Sequence, residues 1–237
     1  MDVAKAFTFV TEDERWMGKI GIGALVSLAS FLIVPIPLLV GYLVGITRNV
    51  KDGVERPLPE WDDFGQLFKD GLSVIVGQIV YTLPFWIIMC IAIVASVGLG
   101  GLADGNVNED VVATGFLATW GLVICLSLIF AIVLFFLSPA IVIQYIRTNE
   151  LGAMFRFGEV VAIARENISD IVITALATFL ASFVISTVIG VFSAIPIIGW
   201  CGGPILGIAV GPYLTAVTGH LYGQIAAKGE SKEAKSA

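Results

Sequence analysis

Few residues in this chain could do chemistry, and their types and spacing set narrow limits on what that chemistry could be. His220 sits in "TAVTGHLYGQ" inside an apolar run. An imidazole there could relay a proton or ligate a metal, and an ionisable group within a membrane is a functional candidate by default. No second ligand stands at a metal-site spacing from it, so the competing reading is a histidine bonded to a neighbouring helix. Gln78, Gln144 and Gln224 also lie in apolar runs. They could line a path for a polar solute, or bond helix to helix at about 0.6–2 kcal/mol each. Cys90, Cys125 and Cys201 occur singly without CxxC spacing, so neither a disulfide framework nor a zinc site follows. The sequence has no HExxH, no phosphate-binding glycine loop and no nucleophile paired with a base. No catalytic residue, cofactor site or metal site is expected. The long apolar runs also lack Asp and Glu, which weighs against an ion-coupled pump or an intramembrane protease. A passive channel or a carrier for a neutral solute stays open.

The elements that hold these residues are set by composition. Hydrophobic residues are 57% of the 237 and charged residues 14%, with a mean hydropathy of +0.95. Soluble domains run nearer 45–50% apolar and about 25% charged. The apolar runs cover residues 20–47, 72–98, 111–146 and 171–226. Each exceeds the ~20 residues that carry a helix across ~30 Å of hydrocarbon. None alternates as a barrel strand would. The class is a polytopic all-α membrane protein. The acidic start "MDVAKAFTFVTEDERW" precedes no small-residue cleavage site, so no secretory signal peptide is expected. A net charge of -6 argues against nucleic acid as a partner.

All 13 Lys and Arg fall in four segments: 1–19, 48–70, 147–169 and the tail after 226. The loop 101–110 and the stretch "IPIIGWCGGP" at 195–204 carry none. Basic loops face the cytoplasm. An even number of crossings must therefore separate each basic segment from the next. Pro196, Gly199, Gly202, Gly203 and Pro204 read as a turn that splits the last run into 171–195 and 204–225. By the same logic "ASFLIVPIPLLVGYLVGITR", residues 29–48, goes in and comes back with its turn at Pro35 and Pro37. Its first arm, 16–34, is about as long as one crossing, but 36–50 makes only about 22 Å of helix. That arm stops short of a full crossing or thins the bilayer around it. The alternative is a single kinked span, which would strand Lys5, Arg15 and Lys19 outside.

Each hairpin follows a segment with a helical apolar stripe. The stripes are Val3, Ala6, Phe7 and Val10; Trp61, Phe64, Leu67 and Phe68; and Met154, Phe157, Val161, Ala164 and Ile168. They read as amphipathic helices lying in the cytoplasmic interface. Tyr42, Tyr145 and Tyr222 recur near the inner end of each second arm. This rhythm is either a triplicated unit or a purely topological one. Gly203, Gly207 and Gly211, with Gly219 and Gly223, and Gly41 with Gly45, give the small-residue spacing that lets membrane helices pack closely. Pro84, Pro139 and Pro212 should kink their spans.

The segment "RPLPEWDDFGQLFKDGL", 56–72, is the most distinctive. Trp61 reads as a headgroup anchor. Trp61, Asp62, Asp63 and Phe64 are candidates for an interfacial or partner-docking element. Six acidic against four basic residues over 48–70 make it a poor binder of anionic lipid. "LPEWDDFGQLFKDGL", preceded by "GYLVGITRNV", resembles the domain of unknown function 4013 family of uncharacterised prokaryotic multi-pass membrane proteins, from about residue 5 to 226. The resemblance implies a multi-pass fold and carries over no activity and no site residues.

The expected architecture is six transmembrane helices as three hairpins (about 16–50, 72–146 and 171–225), each led by an interfacial helix. Residues 1–226 form one membrane domain and 227–237 a flexible tail, with both termini on the cytoplasmic side of the plasma membrane. The expected partners are the bilayer and a protein at the cytoplasmic face. The expected role is a non-enzymatic scaffold or accessory subunit; the alternative is a transporter or channel for a neutral or lipidic solute.

Overall fold

The computed structural model describes residues 1–103, 109–196 and 198–236, and every element among them is helical. The elements are α1 (Val3–Glu12), α2 (Trp16–Ala29), α3 (Ile36–Lys51), α4 (Phe64–Ala103), α5 (Glu109–Thr148), α6 (Phe157–Glu166), α7 (Ile168–Ser193) and α8 (Ile198–Ser236). Short 3-10 turns at Ser30–Leu32 and Leu151–Phe155 extend α2 and precede α6. Among the described residues, four segments are long and apolar enough to cross a membrane: Phe64–Gly98, Asp110–Thr148, Ile168–Ser193 and Ile205–Glu230. Trp16–Leu32 is apolar but shorter. The expected loop over 101–110 falls largely outside the described residues, as do the side chains of Cys201 and Pro204 and the last residue of the tail.

The chain divides into two compact units, Met1–Gly77 with Pro139–Ala237, and Gln78–Ser138. In the second unit α4 and α5 run antiparallel: Gln78 bonds Ser138, and the Phe85 ring stacks on Phe130 at 5.5 Å. More than half of its large apolar side chains are exposed, among them Trp86, Ile91, Val94, Val97, Leu117, Leu128 and Ile132. In water this surface would be untenable; against acyl chains it needs no cover.

The first unit is built around α8. Its core joins Phe9 and Val10 of α1, Ile20 of α2, Tyr42 and Ile46 of α3, Leu58, Trp61, Leu67 and Ala216. Gly23 and Ser27 of α2 meet Pro212 and Gly211, so α2 runs against α8. Gly219 and Gly223 meet Leu43, Ile46, Thr47 and Val50, so α3 runs with it. The chain therefore reverses between α2 and α3. Asp170 at the start of α7 reaches Lys228, and Ser193 at its end meets Gly203, so α7 and α8 are antiparallel.

Several local expectations change. The apolar stripe of α1 packs on protein, with Ala6, Phe9 and Val10 buried on its α8 side. On α6 the buried residues are Val160, Ile163 and Ala164, while Phe157 and Ile168 of the expected stripe stay about half exposed. The stripe at 61–68 is not a separate helix. Asp63 accepts the Gln66 N–H at 2.8 Å, an N-cap that starts α4 at Phe64. Trp61 is only 4% exposed, so it anchors the core and no headgroup layer. Gly199, Gly202 and Gly203 lie in the first turns of α8, and the corner with α7 occupies fewer residues than expected. A Cβ at Gly202 would meet the Phe192 ring, so the glycines let the corner close tightly. Both α4 and α5 continue as helix through Pro84 and Pro139. The expected flexible tail is helical to Ser236. Its Ala-, Lys- and Glu-rich sequence favours helix, and Lys228 and Glu230 are held by Asp170 and Lys51.

Candidate functional site

Three polar junctions lie in the first unit, two of them buried at Lys19 and Asp70 and a more exposed one where the start of α1 meets α8.

The first junction forms because the chain leaves α1 through Asp13 and enters α2 with Lys19 facing inward. The Lys19 ammonium donates to Asp13 Oδ2 at 2.7 Å and to the Leu58 carbonyl at 2.8 Å, and it lies 3.0 Å from Glu60 Oε1. Three acceptors match its three N–H groups. Burial pushes the Asp13 carboxyl up. The Lys19 and Arg15 N–H donors and the charges of Lys19 and Arg56 outweigh this and hold it below its ordinary value. The Trp61 indole donates to the Lys19 carbonyl at 2.9 Å and stacks on Tyr42 at 4.5 Å. Arg15 pairs with Glu60, and Arg56 pairs with Glu14, which raises the Arg56 guanidinium above its usual value. An open cavity of about 510 Å³ lies among Asp13, Lys19, Asn49, Arg56 and Glu60.

The second junction fastens α3 to the start of α4 and the end of α5. Asp70 is 2% exposed. It accepts from Arg48 Nη1 at 2.9 Å, the Tyr145 hydroxyl at 2.7 Å and Gln66 Nε2 at 2.8 Å. Arg48 also donates to Asn149 Oδ1 at 2.9 Å. Asn149 takes the left-handed conformation (φ 54°) that ends α5. Arg48 itself is placed by the end of α3. Gly53 (φ 72°) donates to the Val50 carbonyl and Val54 to that of Asn49, the paired bonds of a Schellman stop. Beneath the charges, α3 and α4 touch backbone to backbone: Gly41 faces the Leu67 carbonyl and Gly71 faces the Pro37 carbonyl.

The third junction joins the start of α1 to α8. Asp2 N–H donates to Gln224 Oε1 at 2.6 Å, and Gln224 Nε2 donates to the Asp2 carbonyl at 2.8 Å. Gln224 also lies 3.0 Å from His220 Nδ1, and the imidazole packs 4.4 Å from the Phe9 ring. A cavity of about 460 Å³ is lined by Asp2, Asp170, Gln224 and Lys228.

The candidates fall into distinct places. Gln144 donates to Glu159 at 2.6 Å, tying α5 to α6, and Gln78 bonds Ser138 in the second unit. His220 and Gln224 hold α1 to α8. No group of three or more His, Cys, Asp or Glu able to hold a metal occurs among the described residues. Gly41, Gly45, Gly219 and Gly223 each sit where a Cβ would press on a neighbouring segment. Gly203 meets Ser193, Gly211 only approaches Ser27, and Gly207 has nothing within 4 Å. Asp62, Asp63 and Phe64 are exposed, unlike Trp61. Lys19 and Asp70 stand out only in three dimensions. In the sequence they are ordinary interfacial charges, and their one signal was their place at the edges of apolar runs.

Comparison with curated proteins and with solved structures finds no match in either. The family model of DUF4013, described as a protein of unknown function, matches residues 24–218. With most of its length so covered, the chain belongs to the DUF4013 family.

Proposed function

We propose that this protein is a non-catalytic membrane scaffold or accessory subunit that displays a rigid acidic face to a partner at the cytoplasmic side of the plasma membrane. In this reading three helical hairpins, α2–α3, α4–α5 and α7–α8, enter the bilayer from that side. The contact of Asp2 with Gln224 supports both termini lying together. So does the gathering of all the Lys and Arg into the segments that the hairpins share on one side.

The observation that carries the reading is how the junctions use their charges. Lys19 and Asp70 use their hydrogen-bonding capacity on Asp13, Leu58, Arg48, Tyr145 and Gln66, one joining α2 to the segments on either side of it and the other joining α3, α4 and α5. Glu55, Asp62 and Asp63 are left on the outer surface of that frame. A surface so held is suited to recognition by a basic partner segment, because little ordering is required on binding.

The test is crosslinking and affinity recovery of the tagged full chain from native membranes. Stoichiometric recovery of a partner, lost on Glu55→Lys with Asp62→Lys while the thermal melt is unchanged, is the expected result. Recovery of the isolated protein alone, with and without crosslinker, would count against the reading.

A further inference from the structure

We propose that the α2–α3 reversal, Ser30–Pro37, is an interaction surface for lipid acyl chains: a re-entrant hairpin whose tip ends inside the hydrocarbon and never reaches the far side. The proposal rests on the membrane reading above and adds a depth to it.

Four observations converge. First, the polar ends of the hairpin are pinned. Lys19 at the start of α2 is fixed by Asp13 and Leu58, and Arg48 near the end of α3 by Asp70 and Asn149. Neither can sink into the bilayer without breaking buried ion pairs. From those pins to the tip the arms offer only about 15 and 12 residues, roughly 22 and 18 Å of helix, against ~30 Å of hydrocarbon.

Second, α8 outruns the hairpin. Ser27 stands level with Gly211. From there α8 continues to Ile198, about 20 Å, while α2 and its 3-10 turn have only about 9 Å left before Ile33. One turn beyond Gly211, at Gly207, nothing lies within 4 Å.

Third, the tip is apolar and uncovered. Phe31, Leu32, Ile33 and Val34 are 60–78% exposed. A turn emerging into water would be filled by Gly, Asn, Asp or Ser, and one at the headgroups by Trp or Tyr. Here Ile33 holds φ 67°, a conformation that a β-branched residue adopts only at a cost. An apolar side chain is kept where conformation alone would select glycine or asparagine.

Fourth, the turn leaves few N–H groups to water. Ile33, Val34, Ile36 and Leu38 donate to the carbonyls of Ser30, Leu32, Ile33 and Pro35 at 2.8–3.0 Å. Pro35 and Pro37 have no N–H to satisfy, and Ser30 returns its hydroxyl to the Val26 carbonyl at 2.8 Å. Each unpaired backbone group at hydrocarbon depth costs several kcal/mol, and these bonds spare the turn most of that cost. The consequence is an asymmetry within the first unit: α2 and α3 displace lipid from one leaflet, and lipid fills the space over their tip in the other.

The experiment uses the full chain with Cys90, Cys125 and Cys201 replaced by alanine, reconstituted in phosphatidylcholine–phosphatidylglycerol vesicles. Single cysteines are placed at Ile33, at Ile91 as an acyl-depth reference, and at Asp52 and Asp110 as reporters of the two surfaces. A nitroxide at Ile33→Cys should be relaxed by oxygen and shielded from a water-soluble nickel chelate, as at Ile91→Cys. A membrane-impermeant maleimide should label Ile33→Cys at least an order of magnitude more slowly than Asp110→Cys. Labelling of Ile33→Cys as fast as Asp110→Cys from the same side would overturn the proposal in favour of a full crossing. Shielding from both oxygen and nickel would overturn it in favour of a tip covered by protein. Labelling of Asp52→Cys and Asp110→Cys from one side would instead refute the three-hairpin topology, and the nitroxide depth at Ile33 would still decide the tip.

Discussion

The two units of this chain handle apolar sequence in opposite ways. Between Gln78 and Ser138 the helices carry their hydrophobic residues outward; Tyr81, Ala92 and Val123 are the buried apolar residues described there. In the other unit charged and amide side chains are buried and bonded, and glycines bring backbones into contact. Lipid can cover an apolar surface without protein packing, so a hairpin of that kind needs few specific contacts. A layer where charge meets hydrocarbon has no such cover. Each buried ion must be paired, or the unpaired partner costs several kcal/mol. The first unit is where single substitutions should matter.

The sharpest way to break the contrast is at the α3–α4 crossing. Gly41→Leu would drive a side chain into the Leu67 backbone. We expect a loss of more than about 3 kcal/mol, seen as failure to recover folded protein in mild detergent. Gly121→Ala, in the second unit with nothing within 4 Å, should leave the melt unchanged or slightly raised. Next comes Asp70→Ala, which strands the Arg48 guanidinium. Unfolding in a denaturing detergent should register about 3 kcal/mol, and the double change with Arg48→Ala should cost less than the sum of the singles.

Acid should separate the units more gently. Asp13 has a folded-state pKa below its unfolded value. Its contribution is complete above the ordinary carboxylate range and is lost as pH falls through the folded value. The melting temperature of the wild type should therefore drop on acidification more steeply than that of Asp13→Asn; equal slopes would remove Asp13 from the account. In the second unit Ser138→Ala removes the bond to Gln78 and should cost about 0.6 kcal/mol by the same detergent assay. Smallest is Lys5→Ala, which breaks the half-exposed pair with Glu12. It should shift stability by less than about 0.5 kcal/mol, and less still at high salt.

Part of this was legible in the chain. Apolar length gives the helical membrane class, and the gathering of Lys and Arg gives reversals rather than one kinked span at "VPIP". The close-packing role of Gly41 and Gly223 follows from spacing. Other features were hidden for identifiable reasons. Trp61 reads as a headgroup anchor because nothing local tells that Tyr42 will stack on it. The stripe of α1 has the period of an interfacial helix, and period does not say whether lipid or α8 covers the apolar face. The start of α4 is hidden because the local pattern of a proline-led acidic segment is that of a separate helix, and only the Asp63 cap shows that α4 runs on from Phe64.

By itself, then, the sequence determined the long apolar helices of this protein and the reversal at "VPIP", since both follow from local hydropathy and from where charge can be hydrated. Only the tertiary structure decided which charges are buried and what they hold, because Lys19 with Leu58, Arg48 with Asp70 and Asp2 with Gln224 are partners brought together by helix packing, at separations no local pattern encodes.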